Sequence, residues 1–221
     1  PEQHKNINNV FGNYGDLIEF LSQGSKLTNS LSKALLKIQQ TGKNNVRYPE
    51  SELAKQLSMV AQLINGGSKT KVFTLTLGGF DTHAYQVDKY NSNEGNHSNL
   101  LKILGDAVTL FLEDLKISGN NKRVIGMIYS EFGRQIKSNE SLGTDHGDAA
   151  PVFLFGEGLK KQFIGDLPEI PDSIPNQAGV PMKIDFKEVY YEILNGWFKL
   201  DPNEMNNIFL NDKIGSRLKI F

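Results

Sequence analysis

The stretch "KVFTLTLGGFDTH", residues 71–83, decides the fold that the sequence predicts. Its first seven residues are a β-branched and aromatic run that ends in two glycines, which predicts a buried strand followed by a sharp turn. Asp81 and His83 come directly after that turn. Residues two apart in an extended chain point to the same side, so the carboxylate and the imidazole should converge on one point. The alternative, which a lone Asp-x-His pair favours, is that Asp81 caps a turn and His83 is half exposed.

The residues that follow extend this strand into an α/β pattern. After a polar loop at 78–96, leucine-rich periodicity predicts a long amphipathic helix over 97–117, and "RVIGMIYS" at 123–130 predicts a second buried strand. A strand, a crossover helix and a strand force the two strands to run parallel. A third strand is predicted at 151–156. We therefore expect a doubly wound α/β fold, a mostly parallel sheet with helices on both faces.

The remaining segments predict helices around this sheet. Residues 13–40 have apolar positions three and four apart, which indicates two short helices joined around Gly24. Further helices are expected at 49–65 and at 185–197, where a capping-box-like start is present. Residues 157–184 are rich in glycine and proline and should be irregular or contain only short strands. The tail beyond these helices is left unassigned.

Composition narrows the class of protein. The chain has 221 residues, 38% hydrophobic and 22% charged, which is typical of a globular protein with one large domain or two small ones. With the α/β pattern above, we expect a single α/β domain over 1–221. Cysteine is absent, which excludes thiolate metal sites and disulfides. The 24 basic and 25 acidic residues argue against nucleic acid as the main partner. The longest apolar runs are far shorter than the ~20 residues of a membrane span, and none is predicted.

A second polar loop, residues 131–150, leaves the second predicted strand. In a parallel sheet, ligands bind beyond the carboxyl ends of the strands, so this loop should lie close to the loop at 78–96. Glu131 directly follows the buried strand, where a carboxylate is costly without a cationic partner. Arg134 could be that partner. Alternatively, Glu131 ligates a metal ion and Arg134 binds an anionic substrate oxygen.

Asp145 and His146 lie between two glycines just before the third predicted strand. They form either an Asx-turn with a surface histidine or a further histidine at the same sheet edge as Asp81 and His83. Carboxylate oxygens and neutral imidazoles together suit a zinc-like or manganese-like ion. His97, at the start of the long helix, is interpreted as a helix cap in preference to a ligand.

Several motifs in one order carry a family resemblance. "LGGFDTH" (77–83), "SEFGR" (130–134), "GTDHG" (143–147) and the "PVFLFG" that follows resemble the bacterial family called domain of unknown function 1501. The resemblance covers about 48–198. That family is grouped with the alkaline-phosphatase and sulfatase-like hydrolases. The resemblance thus implies a doubly wound α/β core and metal-dependent hydrolysis of phosphate or sulfate esters.

The resemblance also implies a set of metal ligands. Asp81 and His83 match the superfamily's Asp and His pair, Glu131 matches the aspartate of a strand-end Asp-His, and His146 matches the last histidine. A second alignment makes Asp145 and His146 the adjacent pair. The implied cofactor is a divalent metal ion, zinc first, with manganese or calcium as alternatives.

The chain departs from the superfamily pattern at the strand-end histidine, where Phe132 cannot ligate. A two-metal set is therefore incomplete, but three ligands with one open position are the pattern of a catalytic single-zinc site. If Asp81, His83 and His146 hold the metal ion, Glu131 is a second-metal ligand or a base, and Arg134 binds a small anionic ester substrate.

Two functions remain open at this point. One is a metal-dependent hydrolase of phosphate or sulfate esters, and the other is a non-catalytic exported or surface interaction protein that keeps the hydrolase fold. The superfamily's early aspartate and nucleophile would precede Pro1, so the resemblance implies the C-terminal portion of a larger alkaline-phosphatase-like domain. It also implies a periplasmic or exported protein. The sequence predicts no oligomeric state.

Overall fold

The computed structural model describes residues 14–160, 163–209, 214 and 218–221. Five α-helices lie in these ranges: α1 (Tyr14–Thr41), α2 (Glu52–Asn65), α3 (Asn96–Ile117), α4 (Phe186–Glu192) and α5 (Pro202–Ile208). A 3₁₀ turn spans Asn121–Arg123, and a π-helical turn, Ile193–Trp197, continues α4. The four strands are β1 (Ile125–Ile128), β2 (Gly133–Arg134), β3 (His146–Gly147) and β4 (Phe153–Gly156). None of the helices in these ranges has the length and apolar composition of a membrane span.

The strands form two small antiparallel pairs. β1 pairs with β4, and β2 pairs with β3, in the part of the chain that the structure describes. The predicted doubly wound, mostly parallel sheet with helices on both faces is therefore wrong. The second and third predicted strands do exist as β1 and β4, but the chain between them returns through loops and β2 and β3, with no crossover helix. An antiparallel pair needs no such helix.

The first predicted strand is the origin of the error. In residues 71–79, no backbone group is hydrogen-bonded to the backbone of another described residue, so no ladder forms there. Burial nevertheless alternates: Phe73, Leu75 and Leu77 pack against the core, while Val72 is 67% exposed. The sequence pattern predicted a buried segment, which holds for Phe73, Leu75 and Leu77 but not for Val72. It carries no information about a partner backbone, which a strand also requires.

The helix predictions are closer to the structure. Residues 14–41 form one helix, so the prediction of two short helices joined around Gly24 is wrong. Gly24 lies inside this helix, although glycine costs roughly 1 kcal/mol relative to alanine in a helix interior. Helix α2 begins after Ser51, whose hydroxyl oxygen accepts a hydrogen bond from the Ala54 N–H at 3.2 Å. Helix α3 begins after Gly95, so His97 is not its cap. The His97 ring instead packs edge-on against Phe80, with centroids 5.8 Å apart.

Helix α5 was not predicted, although its start carries a recognisable signal. Asp201 accepts a hydrogen bond from the Asn203 N–H at 2.8 Å, and Pro202 occupies the first turn. The irregular segment predicted at 157–184 is confirmed in its described residues, where one isolated bridge joins Gly179 to Gln135.

The core lies between α2 and α3. Its buried side chains are Leu53, Ala54, Leu57, Val60, Ala61, Ile64, Ala107, Phe111 and Leu115. Each large apolar side chain that is removed from water in this way contributes about 1.5–3 kcal/mol to folding. These residues recur at three and four along both helices, as the apolar periodicity predicts.

One carboxylate is buried within this core. Asp114 on α3 is 0% exposed and accepts hydrogen bonds from the side chains of Asn44, Asn45, Tyr48 and Asn65 and from the Asn45 N–H. Burial raises the pKa of Asp114, but the hydrogen bonds from Asn44, Asn45 and Tyr48 outweigh burial and leave the pKa below its usual value. The ionised carboxylate therefore ties the segment before α2 to α3.

Candidate metal centre

The loop at 78–96, called the first loop below, lies against the second loop at 131–150. Three backbone hydrogen bonds join them. From the first loop, the Tyr85 N–H donates to the Ser141 carbonyl at 3.0 Å and the Val87 N–H to the Leu142 carbonyl at 3.2 Å, and from the second loop the Thr144 N–H donates to the Thr82 carbonyl at 3.3 Å. The prediction that the two loops meet is confirmed, although no parallel sheet edge brings them together.

A buried polar layer supports the loops from below. Thr82 and Thr144, one from each loop, are both buried, and each donates its hydroxyl to Gln86 Oε1 at 2.8 Å. Gly143 allows the close approach, because a Cβ at this position would lie 2.3 Å from the carbonyl carbon and oxygen of His83. The contact between the two loops therefore requires glycine at position 143.

Three ligand-type side chains meet on the exposed side of this layer. Asp81, His83 and His146 each offer one ligand atom, and these atoms all lie within 4.8 Å of one another. Asp81 Oδ1 lies 2.7 Å from Nε2 of His146 and 3.0 Å from Nε2 of His83. The structure thus brings together the two residues of the Asp-x-His pair and the histidine 63 positions further on in the second loop.

His83 lies between two carboxylates. Its Nε2 faces Asp81, and its Nδ1 lies 2.8 Å from Asp145 Oδ1. A neutral imidazole has a single N–H, so it satisfies one of these contacts and leaves a nitrogen lone pair against a carboxylate oxygen in the other. Either a second proton or a metal cation relieves that repulsion.

The electrostatic balance of the cluster favours a cation. A hydrogen bond with His146 lowers the pKa of Asp81, and a hydrogen bond with His83 lowers the pKa of Asp145, so both carboxylates are ionised near neutral pH. Arg134 contributes one positive charge next to Asp81. With neutral imidazoles, two carboxylates against one guanidinium leave a net negative charge.

Arg134 is held inside the site by the protein itself. Its side chain is 18% exposed, and its guanidinium donates to the carbonyls of Phe80 and Thr144. Its carboxylate partner among the described residues is Asp81, with Nη2 and Oδ1 3.4 Å apart, and not Glu131. These contacts use the guanidinium to join the two loops and to neutralise Asp81 in part.

Phe132 packs against one of the ligand histidines. Its ring stacks on His146 with centroids 4.1 Å apart and 8° between the planes, and the Arg134 guanidinium lies 5.1 Å from the Phe132 centroid. β2 and β3 set up this arrangement, because their register places Arg134 opposite His146. Sequence reasoning recognised Phe132 only as a residue that cannot ligate.

The other predicted site residues lie further out. Asp145 contacts the ring of His83 and is not one of the three residues of the donor group. Glu131 is exposed and is not in that group either. Sequence reasoning missed Gln86 and Asn139, which hold the loops in place, because nothing in a single sequence distinguishes a loop amide with a partner from one in solvent.

The donor chemistry fits a transition metal. One carboxylate oxygen and two imidazole nitrogens suit zinc or manganese. Calcium takes about six to eight oxygen ligands, so two imidazoles in a set of three argue against it. The donors are also exposed, with 55% of the Asp81 side chain accessible, so a ligand from solvent can reach them.

The family model described as "Protein of unknown function (DUF1501)" matches residues 21–209, which is most of the chain. No curated protein and no solved structure matches the chain.

Proposed function

The chain belongs to the DUF1501 family, and we propose that it binds a divalent metal ion through Asp81, His83 and His146 and uses it in ester hydrolysis. The observation that carries the proposal is the convergence of one carboxylate and two imidazoles, whose ligand atoms lie within 4.8 Å of one another. Zinc is the ion that this donor set fits best.

Two features of the charge distribution support a cation at this point. His83 has a carboxylate on each ring nitrogen, and a metal ion between His83 and Asp81 removes the repulsion that a neutral ring would feel. The net negative charge of the cluster attracts the ion, and a bound dication would reverse that charge. A positive site would in turn attract an anionic substrate.

The metal would supply Lewis acidity and lower the pKa of a bound water molecule. The residues of the chain have separate tasks. Three protein ligands leave a position open to solvent, as catalytic zinc sites do. Arg134 pairs with the Asp81 carboxylate and joins the loops. The choice of phosphate or sulfate esters as substrates rests on the motifs that resemble the alkaline-phosphatase and sulfatase-like hydrolases.

Metal analysis tests the binding half of the proposal. Protein purified without chelator should contain zinc, and titration of metal-free protein should give one zinc per chain. His83→Ala and His146→Ala should each lose this binding. His97→Ala is the matched control, because His97 packs on Phe80 outside the donor group and should leave zinc affinity unchanged. Absence of zinc from the wild-type protein, or equal zinc affinity in all variants, would rule out this metal site.

Turnover tests the catalytic half. A panel of phosphate and sulfate monoesters should include a substrate whose hydrolysis needs zinc and stops in Asp81→Ala. The alternative is a non-catalytic metal-binding interaction protein. Phe132 favours this alternative, because it replaces a ligand and packs against His146 where the superfamily pattern has a histidine. Zinc binding without turnover of any ester in the panel would favour the non-catalytic alternative over the hydrolase.

A further inference from the structure

We propose that Asp145 is a positioning residue for the metal site, and that it fixes Nε2 of His83 as the ligand atom by binding the opposite ring nitrogen. This inference rests on the metal binding proposed above. It gives Asp145 a role different from that of a ligand. It also assigns different partners to the two nitrogens of one imidazole.

The contacts of His83 carry this assignment. Asp145 Oδ1 lies 2.8 Å from Nδ1 of His83, on the opposite side of the ring from the Nε2 that faces Asp81. A carboxylate at that distance accepts the Nδ1–H and leaves the Nε2 lone pair for a metal ion. It also makes the imidazole a stronger ligand, as outer carboxylates do for metal-bound histidines in general.

Asn139 contacts both His83 and Asp145 and so fixes this pair of residues. Its Nδ2 donates to the carbonyl oxygen of His83 at 2.8 Å and lies 3.5 Å from Asp145 Oδ1. Its Oδ1 accepts the N–H groups of Ser141 and Gly143 at 2.9 and 3.1 Å. The second loop therefore holds the backbone of His83 and the carboxylate on its ring through one amide.

The two ligand histidines are oriented by different means. His83 has a carboxylate on Nδ1, whereas His146 has the Phe132 ring stacked on its face. A carboxylate selects one tautomer, but a stacked ring restricts only the orientation. We therefore expect loss of Asp145 to change the tautomer of His83 and to leave that of His146 unaltered.

Zinc titration and NMR test this proposal together. Asp145→Ala should weaken zinc binding by about 10–100-fold, the range typical of a lost outer-shell partner. Asp145→Asn, which keeps an acceptor oxygen, should weaken it less. Asn139→Ala, which removes the amide that contacts His83 and Asp145, should also reduce zinc affinity. Glu140→Gln is the control, because Glu140 is an exposed carboxylate in the same loop and should have no effect.

Long-range ¹H–¹⁵N spectra of the imidazoles give a readout that a loss of stability would not reproduce. Zinc-loaded wild-type protein should show His83 with a proton on Nδ1 and metal on Nε2, and Asp145→Ala should weaken this preference in His83 alone. Unchanged affinity and tautomer in Asp145→Ala would overturn the assignment, with metal binding left intact. Loss of zinc as complete as in Asp81→Ala would make Asp145 a ligand. Failure of the wild-type protein to bind zinc would overturn the proposed function and this assignment together.

Discussion

The helical core and the loop cluster each contain an aspartate whose pKa lies below its usual value. Asp114 is buried between α2 and α3 and receives its hydrogen bonds from asparagine amides, a tyrosine hydroxyl and a backbone N–H. Asp81 is 55% exposed and faces two imidazoles and a guanidinium. The two residues are the same, but only Asp81 has imidazole partners, whose nitrogens can bind a metal ion in place of a proton.

The difference separates a structural carboxylate from a candidate ligand. The amides around Asp114 are neutral donors that keep their protons, so no cation can replace them, and the carboxylate only stabilises the fold. An imidazole can exchange its proton for a metal ion. Asp81 with His83 and His146 is therefore a group in which a metal can take the place of shared protons.

The largest expected effect is on stability, from Asp114→Ala. This change removes the acceptor of the Asn45 N–H and side-chain amide and of the Tyr48 hydroxyl, and we expect a loss of about 3 kcal/mol in the free energy of unfolding. Urea denaturation measures it. Asp106→Ala on the same helix is the control, since Asp106 makes an exposed pair with Lys102 and should cost less than about 0.5 kcal/mol. Equal losses in the two variants would contradict a structural role for Asp114.

Asp81→Ala should show the opposite pattern. We expect zinc affinity to fall by more than about 100-fold, because loss of an outer-shell partner alone costs 10–100-fold. The free energy of unfolding without zinc should change little, since Asp81 is exposed. Thermal unfolding with and without zinc measures both quantities: at a zinc concentration about 100 times Kd, the wild-type protein should gain about 2.7 kcal/mol and the variant should gain almost none. A stabilisation that survives in Asp81→Ala would place the ion elsewhere.

The same comparison shows what the sequence could and could not predict. Asp81, His83 and His146 could be selected because their residue types are ligands and the glycine-bounded loops indicated a common surface. The expected cause, a parallel sheet edge, is wrong. Gly143 allows the loops to approach each other, and the hydroxyls of Thr82 and Thr144 that meet on Gln86 hold them together. Those contacts join residues about 60 positions apart, and spacing within one sequence does not reveal them.

The fold shows a similar division. Periodicity predicted helices α2 and α3, and the apolar run at 71–77 predicted a segment whose Phe73, Leu75 and Leu77 pack against the core, because these features depend on local sequence. The direction of β1 relative to β4 depends on which backbone lies beside it, and a run of apolar residues fits a parallel or an antiparallel neighbour. Asp114 was likewise missed, since its position on a helix does not show that it is buried.

A smaller effect is expected from pH. Because the folded-state pKa of Asp114 is lowered, the stability it contributes is fully present above the unfolded pKa, near 3.9, and is lost as pH falls through the folded value. The difference in unfolding free energy between wild type and Asp114→Asn should therefore be constant above about pH 5 and should shrink below about pH 4. Urea denaturation across this range measures the difference. A difference that persists unchanged into strong acid would mean that the charge of Asp114 contributes nothing.

The smallest effect should come from Phe132→Ala. The stacked ring orients His146 but forms no bond to a metal ion, so its loss should remove about 0.5–1.5 kcal/mol of ring contact, or roughly 2–10-fold in zinc affinity. Phe132→Tyr keeps the ring and should keep the affinity. Competition with a chromophoric chelator resolves changes of this size. An effect as large as that of Asp81→Ala would mean that the orientation of His146 limits the site as strongly as the ligands do, and a gain in affinity would mean that the ring obstructs the ion. The outcome expected here makes Phe132 a support for one histidine, as Asp145 is for the other, with the carboxylate the stronger of the two.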